Sequence, residues 1–116
     1  MSCPSSISYP RRRQHVCRVT GATPGRDMVG ASVSDQCRQA FANGADLLRA
    51  EGLSIEDVTH VVYLVRDSAA FSTCFPVLRD VFGDARPAAT LRMVAQLDTP
   101  DTGIELELVA SRRNLG

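Results

Sequence analysis

The spacing of apolar residues changes period several times along this chain, and each change predicts an element. Residues 16–20 form a short run that predicts a strand, closed by Gly21. After a loop over residues 23–30 containing Pro24, Gly25 and Gly30, the period turns helical. Cys37, Ala40, Phe41, Ala45 and Leu48 recur at three- and four-residue spacing and make one apolar stripe. Gln36, Arg38, Asn43, Asp46 and Arg49 fall mostly off it. Ser34 is placed to cap this helix, Asp35 favours the positive end of its dipole, and Gly52 stops it. Gly44 lies in its interior at a cost of about 1 kcal/mol relative to alanine, which predicts a neighbour packed tightly against it.

Residues 59–65, with their β-branched side chains and Tyr63, predict a buried strand. Ser68 is placed to cap a second helix running to Phe82, with Phe71, Phe75, Leu78, Val81 and Phe82 as its inner face and Gly83 as its stop. Pro76 interrupts that helix. An interior proline costs ~3 kcal/mol or more, so the helix either kinks there or starts with an irregular turn. Residues 89–97 and 103–110 predict two strands joined by a turn with Pro100, Asp101 and Gly103. The second strand alternates Ile104, Leu106 and Leu108 against Glu105 and Glu107. The order strand, helix, strand, helix, strand, strand is an α+β layout with two helices packed on one face of a mixed β-sheet. The uncovered face also needs burial, which a trimer interface would supply. Residues 1–15, rich in Ser, Pro and Arg, read as a flexible N-terminal arm, and residues 16–116 as a single domain.

Composition narrows the chemistry. A chain of 116 residues buries only about two thirds of its unfolded surface as a monomer, so association would help it. The formal net charge is zero, which removes any global electrostatic reason to bind nucleic acid or an anionic membrane. No apolar run approaches the ~20 residues of a membrane span, and the first ten residues lack the apolar core of a signal peptide. A cytoplasmic location is the expectation. All 13 basic residues are arginine, so a lysine Schiff base is excluded. Cys3, Cys17, Cys37 and Cys74 show no Cys-x-x-Cys spacing, and His15 and His60 are far apart. Buried thiols are expected, with no metal site. His60 reads as a hydrogen-bonded core histidine. Arg11, Arg12 and Arg13, the only basic cluster, read as part of the solvated arm.

Five short pieces appear in order at consistent spacing: Thr20-Gly21; Gln36, Ala40 and Asn43; Leu64-Val65-Arg66-Asp67 followed by Phe71; Arg86-Pro87-Ala88; and Ile104-Glu105-Leu106-Glu107. Together they resemble the Rid (YjgF-like) family of small imine and enamine deaminases. The resemblance implies a chorismate-mutase-like fold, a homotrimer, no cofactor, and sites in three clefts between subunits. Each cleft would be lined by the strand after Pro-Ala, the last strand, the second helix and the N-terminal loop. It also implies that Glu105 matches the glutamate that positions the attacking water. Burial in an apolar cleft would raise the pKa of such a carboxylate and suit it to acid–base work.

Two positions depart from the family pattern. The arginine that grips the substrate carboxylate falls on Ala89, and an asparagine of the second helix falls on Phe75. Leu91 shares a strand face with Ala89, whereas Thr90 and Arg92 point the other way in a regular strand. Tyr9 stands near the family's tyrosine over the cleft, with a shorter gap to Gly21. The candidate site is therefore Glu105 as catalytic residue, with Ala89, Thr90, Leu91, Phe75 and Tyr9 toward the ligand. The expected function is hydrolysis or deamination, or a related acid–base reaction, on a small imine, enamine or related carbonyl metabolite, in specialised biosynthesis. The alternative is a trimer that binds a metabolite in the same cleft without catalysis. RNA cleavage, often attributed to the family, is disfavoured by zero net charge and the lack of a histidine pair.

Overall fold

A computed structural model describes residues 14–23, 30, 32–84 and 87–112. Strand β1 spans Gln14–Thr20, helix α1 Val33–Ala50 and strand β2 Val58–Val65. Two helical segments follow, α2 over Ser68–Phe71 and α3 over Phe75–Phe82, then strands β3, Ala88–Met93, and β4, Ile104–Ser111. The sheet order is β1-β4-β2-β3. β2 and β3 run parallel, and the other pairs are antiparallel.

Helix α1 begins two residues earlier than its pattern suggests. Ser32, extended at φ −78° and ψ 140°, accepts a hydrogen bond from the Asp35 N–H at 3.0 Å, so Ser32 and not Ser34 is the cap. Gly52, at φ 77°, follows its C-terminal end. Gly44 has the expected reason to be glycine: a Cβ there would penetrate the Leu108 side chain. Gln36, which sits off the apolar stripe, is nevertheless fully buried. Its Nε2 donates to the carbonyls of Gly30 (2.8 Å) and Asp101 (3.0 Å), and its Oε1 accepts from the Gly103 N–H (2.7 Å). It thereby ties α1 to two loops whose backbone groups would otherwise be unpaired.

The second helical region is broken. Asp67, not Ser68, caps α2, its carboxylate accepting from the Ala69 N–H at 3.0 Å. A single 3₁₀ turn over Ser72–Cys74 then precedes α3. Pro76 lies in the first turn of α3, where a missing N–H leaves no carbonyl unpaired. The irregular start is thus the outcome at Pro76, and it changes which residues face inward. Val77 is buried, whereas Phe75 stays 52% exposed and is not part of the inner face.

One sheet face packs against the helices. Val19, Val61, Tyr63, Val65, Ile104, Leu106, Leu108 and Ala110 line it, all buried. Each fully buried Leu or Ile contributes roughly 1.5–3 kcal/mol. Phe41 meets Phe82 edge-on, with ring centroids 5.3 Å apart, joining α1 to α3. Among the described residues, the opposite face carries no helix. The pairing register lines up Thr20, Glu105, Leu64 and Arg92 across it, and Arg18, Glu107, Val62 and Thr90 in the next row.

β3 is shorter than its pattern suggests, ending at Met93 rather than Leu97. Its partner β2 ends opposite, at Val65, where the chain turns into the Asp67 cap, so β3 has nothing further to pair with. His60 is not a core residue. It is half-buried on the helix-free face and hydrogen-bonds Thr90 through its Nε2 at 2.9 Å.

The three described cysteines are free thiols. Cys37 and Cys74 are buried, and the Cys74 Sγ donates to the Val33 carbonyl at 3.8 Å. The Cys74 thiol, together with burial, pushes the Cys37 thiol far above the usual range. No helix among the described residues is long and apolar enough to cross a membrane.

Candidate functional site

The α3 sequence sets Phe75, Leu78, Arg79 and Phe82 at i, i+3, i+4 and i+7, a single helix stripe. This stripe faces β3, and a groove of about 430 Å³ opens between them. Ala89 and Leu91 form the strand wall, Tyr63 and Phe71 line it from the core, and Pro87 closes one end. Phe71 holds Phe75 edge-on at 5.7 Å and Tyr63 at 4.9 Å. Burial, with smaller contributions from Cys37 and Cys74, pushes the Tyr63 phenol well above its ordinary value, so it stays protonated. The groove exists because two things are missing. α3 begins only after the 3₁₀ turn, and the strand wall carries a methyl group at Ala89. Leu91 and Phe75 are 45% and 52% exposed on its walls.

The candidate residues divide between two faces of the sheet. Ala89, Leu91 and Phe75 meet in the groove. Glu105 lies on the helix-free face, half-buried between its neighbours Thr20 and Leu64. The apolar cleft expected around it is not formed within one protomer. Thr90 does not line the groove either, since it pairs with Val62 on the helix-free face and bonds His60 there. Arg92 shares that face and does not substitute for the missing arginine. Tyr9 lies outside the described residues.

The pattern reading missed Arg79. Among the described residues it is the one charged side chain lining the groove, it is exposed, and it makes no ion pair. Its signal was present in the sequence: a charged residue inside the Phe75, Leu78 and Phe82 stripe. A second cavity of about 260 Å³ lies between β1 and the end of α1. There His15 Nδ1 is 3.8 Å from the Glu51 carboxylate, while His15 Nε2 is buried without a partner. Burial raises the pKa of the neighbouring Cys17 thiol, which argues against a nucleophile there.

A mixed sheet with helices on one face only and a groove beside its edge strand defines an α+β protein of the chorismate-mutase-like class. The chain belongs to the YjgF/Rid family: the family profile described as "Endoribonuclease L-PSP" matches residues 10–112. A RutC family protein of Pyrococcus horikoshii is 32% identical over 84 residues, 72% of this chain and 66% of the relative. A bovine 2-iminobutanoate/2-iminopropanoate deaminase is 31% identical over 84 residues, 72% of this chain. The matched stretch spans 60% of the bovine enzyme's own length. The YjgF gene product of E. coli superimposes with a TM-score of 0.77 at 28% identity, covering 86% of this chain and 81% of that one.

Proposed function

We propose that this protein acts on a small imine, enamine or related carbonyl metabolite in a cleft between subunits of a homotrimer. The observation that carries this reading is the groove itself. Phe75, Ala89 and Leu91, drawn from separated parts of the sequence, line one cavity at the sheet edge. Family membership and the bovine deaminase support the reaction class. Glu105 lies on the opposite sheet face, so a site using both the groove and Glu105 takes the carboxylate from a neighbouring copy.

In this reading Glu105 orients a water and accepts its proton as the oxygen bonds to the imine carbon. The C=N electron pair goes to nitrogen, which is protonated. The carbinolamine then expels ammonia as the carbonyl forms. Ala89 lacks the bidentate grip that a guanidinium gives a carboxylate, so the family's small 2-imino acids are held weakly here. A substrate from specialised biosynthesis suits such an altered cleft.

A coupled assay tests this. An amino-acid oxidase generates the 2-imino acid, and semicarbazide trapping reads its survival. The wild type is run beside Ala89→Arg and Glu105→Gln. The expected result is weak hydrolysis by wild type, a gain on Ala89→Arg and loss on Glu105→Gln. Equal rates for wild type and Glu105→Gln would remove Glu105 from the chemistry and favour the metabolite-binding alternative, which the loss of the arginine also supports.

A further inference from the structure

Arg79 stands out in the groove because every other lining side chain among the described residues is uncharged. Four other arginines of the described chain are engaged. Arg38 pairs with Asp80 at 3.3 Å, Arg49 with Asp46 at 2.8 Å, and Arg66 and Arg112 donate to the carbonyls of Pro100 and Glu51. Asp80, the carboxylate beside Arg79 in the chain, is the one Arg38 occupies. The Arg79 guanidinium therefore lines an apolar groove with no carboxylate paired to it among the described residues.

Such a wall selects its ligand by charge and by shape. A single guanidinium matches a monoanion and grips a carboxylate with two parallel hydrogen bonds. A phosphate would call for further donors, and among the described residues the groove lining offers no second cationic side chain. The remaining described walls are aromatic and aliphatic, and Phe75 and Leu91 are half-exposed on them. A four-carbon acid would leave most of this surface wet, whereas a ring-sized tail covers it.

We propose that the groove binds a monocarboxylate with an aromatic or similarly bulky apolar tail. Arg79 holds the carboxylate, and Phe71, Phe75 and Leu91 hold the tail. Within the function proposed above, on which this assignment of substrate class rests, the ligand is an arylalkyl 2-imino acid or its 2-oxo product. The anion anchor has moved from the strand wall at Ala89 to the helix wall at Arg79.

The test is equilibrium binding to the full-length protein, by calorimetry, of 3-phenylpropanoate, 3-phenylpropanamide and butanoate. The acid with the ring is expected to bind at least about ten-fold tighter than either its amide or butanoate. Arg79→Gln should weaken the acid about ten-fold and leave the amide unchanged, with Arg79→Lys recovering part of the loss. Phe75→Ala should weaken acid and amide alike. Equal affinity for acid and amide, or for wild type and Arg79→Gln, overturns the proposal. So does no binding of the acid at about 10 mM, the result expected if a second copy of the chain fills the groove.

The two readings fail separately. Binding of 3-phenylpropanoate without any imine hydrolysis sinks the reaction and keeps the ligand class. Hydrolysis of short imino acids that 3-phenylpropanoate does not inhibit keeps the reaction and sinks the ligand class.

Discussion

The two ends of the helix-covered sheet face are built to different standards. Under α1 the packing is complete. Gly44 lets the helix settle onto Leu108, Leu106 and Leu108 are fully buried, and Gln36 satisfies three backbone groups with one side chain. Under α3 the packing is left open, with Ala89, Leu91 and Phe75 lining a groove. The difference has local causes. α1 is one uninterrupted helix of 18 residues, while the second helical region is divided by a 3₁₀ turn ahead of Pro76. β4 has a strand on each side, while β3 is paired on one side only. Stability concentrates where packing is complete, and binding surface is left where it is not.

Substitutions at the two ends should therefore separate in size. Leu106→Ala removes a fully buried side chain from the central strand and should cost about 2–5 kcal/mol, read by denaturant unfolding. Gln36→Ala strips three hydrogen bonds at once and should cost about 2 kcal/mol in the same measurement, because the Gly30, Asp101 and Gly103 backbone groups lose their partner. Asp67→Ala removes the cap of α2 and should cost about 1 kcal/mol, seen as a lowered Tm. Phe75→Ala should cost only about 0.5 kcal/mol, since the ring is half-exposed and keeps one edge contact with Phe71. A Phe75→Ala loss as large as that of Leu106→Ala would mean the groove is closed in solution, and the contrast between the two ends would fall.

Much of the fold was legible from periodicity. The apolar stripe of α1, the alternation of β4, and the need for a glycine at position 44 all report local geometry that a sequence shows directly. The five-piece resemblance pointed to the YjgF/Rid family, to which the profile match assigns the chain. The candidate site was less legible. Alternation placed Ala89 and Leu91 together, and the structure keeps them together. It could not show that Glu105 faces away from them, because that depends on how β4 pairs with β2 and on which face the helices cover.

Residue order and spacing by themselves determined the element sequence, the main helix and strand stripes, and the family. Tertiary structure alone decided what each stripe meets. It buried Gln36 among loop carbonyls, left Phe75 half-exposed on the groove wall, drew His60 to Thr90, and set Arg79 in the groove lining. The physical reason is range. Periodicity and caps act over a few residues, whereas partners such as Gln36 and Gly103 lie 67 positions apart and meet only when the sheet closes its register.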